Sequence, residues 1–269
     1  MPPSFKGLLI DAYGVLYDGK GMLPGAIETL SHLQSQQIPI ILVTNNSMMC
    51  PADISHMVYQ LSGLTIPESH ILSSGRGLAI DPICQSAIRH QPVFVVGSQS
   101  SHWYISDANG HIVTDLSAAS TVVLTASQPD YASLYEDVIA EKNNRPTLRI
   151  ICSNPDRYVQ TGANRFPVIG YYADYIESQT GQPLLWMGKP YSNFSQVVDY
   201  YVRTVYPNFN PSNWVFVDDN IDNVTTLVTD LGISGRIPIQ TGLAQSEDWK
   251  TIELPPTISL LKTDLRDLL

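Results

Sequence analysis

The amino-acid sequence predicts an α/β fold built on parallel β-sheet. Short β-rich apolar runs recur along its 269 residues, each ending in a small, polar or acidic residue, with stretches of helical periodicity between them. Strands alternating with helices imply βαβ units.

The first run, residues 7–10, is Gly-Leu-Leu-Ile and stops at Asp11. Ala26, Ile27, Leu30 and Leu33 then share one helical face after Pro24 and Gly25. Further runs span 38–43 before Thr44, 93–96 before Gly97, 121–124 before Thr125 and 148–152 before Ser153. The last two, 184–187 and 214–217, end at Gly188 and Asp218, and Phe194, Val197, Val198, Tyr201, Val202 and Val205 mark a helix between them. Pro207 and Pro255-Pro256 read as loops. Asp107 to Gly110 carries a hairpin-like turn signal and Asn154 to Gly162 reads as a long loop, so the middle of the chain looks differently built from its ends.

Hydrophobic residues at 43% and charged residues at 15% give the balance of a folded, soluble protein and exclude a disordered chain. Fifteen Lys and Arg against 25 Asp and Glu leave a charge of -10, which argues against nucleic acid or an anionic membrane as partner. Cys50, Cys84 and Cys152 are odd in number and lack C-x-x-C spacing, so they read as buried hydrophobes in a reducing, cytoplasmic setting. The amino-terminal stretch has no signal-peptide apolar core, and no apolar run reaches the roughly 18 residues of a membrane span. His32, His56, His70, His90, His102 and His111 show no metal-binding spacing.

In parallel sheets ligands bind beyond the carboxyl ends of the strands. Asp11, the Thr44-Asn45-Asn46-Ser47 segment, Lys189 and the Asp218-Asp219 pair all stand at such ends. A carboxylate there can attack phosphorus and form an aspartyl-phosphate, which splits one hard displacement into two. Because that attack joins two anions, it needs a cation and fixed donors. Mg²⁺ accepts one or two carboxylates, which Asp11 and Asp219 can supply. Thr44, Asn45 and nearby backbone N–H groups suit the anion, and Lys189 adds a point charge.

In order, these residues resemble the haloacid dehalogenase superfamily in its class IIA, NagD-like branch. LLIDAYGVLYDG followed by LPGAIETL resembles the first motif, ILVTNNS the second, GQPLLWMGKP the third and WVFVDDNIDNV the fourth. The resemblance implies a Rossmann-like core with an inserted α/β cap, Asp11 as nucleophile and metal ligand, and the Tyr13 carbonyl as a second ligand. It also implies Thr44 and Asn45 as phosphate binders, Lys189 as charge stabiliser, Asp219 with Asp218 at Mg²⁺, and Asn223 supporting them. About thirty residues separate Asp11 from Thr44, too few for an inserted domain, so the insertion falls after Thr44 (a βαβ unit needs only about thirty). The expected layout is a core from 1–79 and 186–269, with a class II cap from 80–185. Asn154, Asp156 and Arg157 then resemble the substrate-specificity loop, and caps of this class often pair as homodimers.

One position departs from the pattern. Most phosphatases of the superfamily carry a second Asp two residues after the nucleophile as general acid and base, and here the residue is Tyr13. A phenol with an ordinary pKa near 10 suits that switching poorly. The expected function is a Mg²⁺-dependent phosphohydrolase of a small phosphorylated metabolite. The alternative is an attenuated relative that binds Mg²⁺ and a phosphorylated ligand with little turnover. A dehalogenase is the weakest option, because those enzymes place their cap in the first gap and need no acidic metal pair.

Overall fold

The computed structural model describes residues 5–161, 164–249 and 251–269. Its larger sheet has six strands in the order Ile258–Leu261, Ser234–Pro238, Trp214–Val217, Gly7–Ile10, Ile40–Thr44 and Ile71–Ser73, every adjacent pair parallel. The central strands are buried along their whole length. That explains their continuous apolar runs: helices cover both faces of a parallel sheet, so no alternation is needed.

The crossovers follow their local chemistry. The helix Ala26–Ser35 starts after Gly25, which has φ 77 and so needs no Cβ there. Pro51 opens the helix Pro51–Ser62, where a missing N–H costs nothing, and Gly63 closes it in the left-handed region. The helices Ser192–Val205 and Ile221–Leu231 bury Phe194, Val197, Val198, Val224 and Leu227 against the sheet.

A second sheet has the strand order Leu185–Trp186, Arg149–Cys152, Thr121–Leu124, Pro92–Val96 and His111–Ile112, again parallel throughout. The expectation that the middle is differently built is therefore corrected: it repeats the parallel α/β construction of the ends. Likewise Asp107 to Gly110 is no hairpin turn. The helix His102–Asp107 ends there, Asn109 takes φ 57, and His111–Ile112 returns parallel to Pro92–Val93. Asn, with its short polar side chain, tolerates that conformation, so the same residues serve either geometry. The stretch read as a long loop becomes strand at Tyr158–Thr161, paired antiparallel with Asn164–Pro167, while Gly162 lies outside the described residues.

The larger sheet draws on both ends of the chain and the smaller on its middle, joined by the helices Ser74–Ile80 and Pro82–Ile88. Tyr104, fully buried, ties the two together: its hydroxyl donates to the Met49 carbonyl at 2.5 Å and accepts from Ser73 Oγ at 2.7 Å. Among the described residues no helix is long and apolar enough to cross a membrane.

Candidate active site

Three neighbouring strands deliver the polar cluster. The register pairs Ile10 with Val217, and the Asp11 N–H donates to the Val217 carbonyl at 2.8 Å, so Asp11 and Asp218 leave adjacent strands side by side. Thr44 ends the strand on the other flank. Lys189 enters between them and is 1% exposed. Its Nζ donates to Asp11 Oδ1 at 2.7 Å, Asp218 Oδ2 at 2.6 Å and the Val43 carbonyl at 2.8 Å. These three acceptors fill its three donor positions.

Burial raises the Asp11 pKa to about 7, with Asp218 adding to the rise and Lys189 opposing it. Asp219 is also pushed well above the carboxylate range, by burial and then by Asp218 and Asp11. Burial works against the Lys189 charge, but Asp11 and Asp218 outweigh it and raise its pKa. Three carboxylates around one ammonium thus hold more negative charge than the site neutralises.

That surplus fits a divalent cation. Asp11, Asp218 and Asp219 each offer an oxygen, all within 4.8 Å of one another. Asn223 Nδ2 donates to both Asp218 oxygens at 3.2 Å, while its Oδ1 is buried without a hydrogen-bond partner among the described residues. Hard oxygen donors of this kind suit Mg²⁺ better than softer metals. Asp218 is the most hydrogen-bonded of the three acids, accepting also from the Asn220 N–H at 2.8 Å. Asp219 accepts from the Leu243 N–H at 2.5 Å and sits between two glycines. A Cβ on Gly14 would lie 2.6 Å from Asp219 Oδ2, and one on Gly242 only 1.8 Å from it.

Asn45 lines the cavity beside Lys189. Its side-chain amide donates to Asp156 Oδ1 and to the Lys189 carbonyl, both at 2.9 Å, and its Oδ1 accepts the Lys189 N–H at 2.8 Å. Both amide hydrogens are therefore engaged, and the side chain clamps the Lys189 backbone. Gly188, at φ 135, permits this approach: a Cβ there would lie 2.5 Å from Pro155 Cδ and 2.7 Å from Asn45 Oδ1. Thr44 keeps a hydroxyl at the cavity, accepting from the Asn46 N–H at 3.2 Å.

These groups line a cavity of about 280 Å³ between the two sheets. Asp11, Tyr13, Thr44, Asn45, Lys189, Asp219 and Asn223 line it from the larger sheet, and Asn154 and Asp156 from the smaller. Tyr13 meets Tyr17 edge-on, ring centres 6.1 Å apart. Burial raises Asp156 to about 6, against the Lys189 charge and the Asn45 hydrogen bond. Arg157 does not join them. Its guanidinium donates to both oxygens of Asp174, at 2.6 and 3.1 Å, and lies 5.8 Å over the Trp186 ring.

Two contributions escaped the sequence reading. Thr125 and Ser127 line the cavity beyond the strand Thr121–Leu124, and the end-of-strand rule that singled out Asp11 would have found them. Gly242 and Leu243 come from a short helical turn that carries no such signal.

Residues 8–110 match the family model described as haloacid dehalogenase-like hydrolase. The chain has that hydrolase fold. Among solved structures, a p-nitrophenyl phosphatase from Archaeoglobus fulgidus superposes on this chain with TM-score 0.80 at 21% identity, covering 99% of this chain and 100% of its own. NagD from E. coli K-12 gives TM-score 0.74 at 19% identity, covering 96% of both chains. By sequence, this chain is 26% identical over 264 residues to an acid sugar phosphatase from Staphylococcus haemolyticus, covering 95% of this chain and 93% of the relative. Fold and relatives together support an enzyme of the haloacid dehalogenase phosphatase type, with the NagD-like structures as its neighbours.

Proposed function

We propose that the protein is a Mg²⁺-dependent phosphohydrolase of a small phosphorylated metabolite, working through an aspartyl-phosphate. The observation that carries this reading is the contact of Asp11 with Lys189 beside Asp218 and Asp219, at the bottom of a cavity closed by the second sheet. A sugar phosphate is the substrate class suggested by the acid sugar phosphatase relative.

Asp11 attacks phosphorus, the bond to the leaving oxygen breaks, and that oxygen takes a proton as it departs. Water then hydrolyses the acyl phosphate and frees Asp11. Lys189 holds Asp11 in place and offsets the approaching negative charge, while the Thr44 hydroxyl and backbone N–H groups donate to the phosphoryl oxygens. Asp11, Asp219 and Asp218, with Asn223 Oδ1 as a neutral oxygen, would hold Mg²⁺, which supplies charge neutralisation when bound. Tyr13 stands where the superfamily places its general acid and lines the cavity.

The same reading takes residues 1–79 and 186–269 as the core, 80–185 as the cap, and Asn154 with Asp156 as groups facing the leaving group. It sets the enzyme in the cytoplasm, consistent with three free cysteines, and as a homodimer, which light scattering tests. A ligand-binding role with little turnover is the second reading, favoured by Tyr13. Phosphate release from a monoester panel, with and without Mg²⁺, separates the two. Asp11→Asn should lose turnover while keeping the fold; undiminished release from that variant would overturn the mechanism.

A further inference from the structure

The two ends of the cavity differ in charge. At the core end, Lys189 and the metal-binding acids receive the phosphoryl group. The cap end carries neutral polar groups such as Thr125, Ser127 and Asn154, apolar surface from Val159, Val168 and Ile169, and one carboxylate, Asp156. Among the described residues, no Lys, Arg or His lines the cavity from the cap.

Among the described residues, two nearby arginines stand outside the cavity lining. Arg157 is held by Asp174. Arg165 is exposed and stacks on Tyr158, its guanidinium carbon 4.3 Å from the ring centre. Asp156 accepts a hydrogen bond from the Asn45 amide, which also donates to the Lys189 carbonyl, so swinging aside to admit an anion would cost Asp156 that bond.

We propose that the cap selects phosphomonoesters whose leaving group is neutral or cationic and rejects those bearing a second anion, with Asp156 as the specificity-determining residue. This rests on the phosphatase reading above. A leaving group with a carboxylate or second phosphate would bring its charge beside Asp156, with no cation among the described cap residues that line the cavity, and like charges repel. Hydroxyl groups meet donors and acceptors instead, so a polyol or small sugar leaving group is the chemistry the cap accommodates.

The test compares kcat/KM for glycerol 3-phosphate and 3-phosphoglycerate, close in length and differing in the carboxylate, with Mg²⁺ at pH 7.5. The wild-type enzyme should prefer the glycerol ester by about tenfold or more. Asp156→Asn should lower turnover of both, because it alters the Asn45 clamp, yet narrow their ratio several-fold; a purely structural role would leave the ratio unmoved. Ser127→Lys, which places a cation at the cap end, should shift the ratio further toward the acid. Equal use of both esters by the wild type, or an unchanged ratio in Asp156→Asn, overturns the selectivity alone. Turnover of neither ester overturns the phosphatase reading and the selectivity with it.

Discussion

Replacing Lys189 by Met keeps nearly the volume of the side chain and removes its charge and its three hydrogen-bond donors. The consequences follow from where that charge sits. Lys189 and Asp218 are at most 1% exposed and Asp11 is 7% exposed, so after the substitution two carboxylates face each other without the ammonium that now bonds both. Breaking a buried pair by deleting one partner costs about 3–5 kcal/mol. The Val43 carbonyl also loses its donor, adding roughly 1 kcal/mol. The cost should depend on pH with a definite sign. Asp11 titrates at about 7 in the folded protein, above the unfolded value of about 3.9, so folding takes up a proton in that window and this group's stabilisation falls as pH rises through it. Lys189 opposes that rise, and removing it carries the window upward. Measured by urea unfolding in a chelator, the deficit of Lys189→Met should be smallest near pH 5 and largest near pH 8. A deficit below about 1 kcal/mol, or one independent of pH, would refute the view that Lys189 neutralises this pair.

Gly242→Ala should weaken metal binding more than folding, because the new Cβ would lie 1.8 Å from Asp219 Oδ2 at a residue with φ 53. Titration of Mg²⁺ against turnover should show at least a tenfold higher requirement, in line with the loss typical when a ligand's support is disturbed, about 10–100-fold; an unchanged requirement would remove Asp219 from the metal site. Tyr13→Asp should raise kcat toward the roughly 10²–10⁴-fold contribution of a general acid. No gain would mean that another group already protonates the leaving oxygen.

What was legible in the sequence came from parallel-sheet physics. Fully buried strands must be apolar throughout and must end abruptly where the chain meets the ligand crevice, so Asp11, Thr44, Lys189 and the Asp218-Asp219 pair stood out as strand-end residues before any contact was known. The interruption of the alternation near Asp107 misled, because Asn109 and Gly110 serve a helix end as readily as a hairpin. The middle of the chain was in fact a second parallel sheet, whose short edge strand His111–Ile112 carries too few residues for a clear pattern.

Residue type and order by themselves determined the class of fold, the acids available to a cation and the absence of a second Asp at Tyr13. Tertiary structure alone decided how each group is used. Asn45 was joined to Lys189 because two acceptors, Asp156 and the Lys189 carbonyl, converge on one amide from positions more than a hundred residues away. Arg157 was drawn off by Asp174, and Asp156 was left, among the described residues, as the one charged group lining the cavity from the cap. Hydrogen-bond partners and net local charge depend on distances between segments remote in the chain, and spacing along a sequence does not contain those distances.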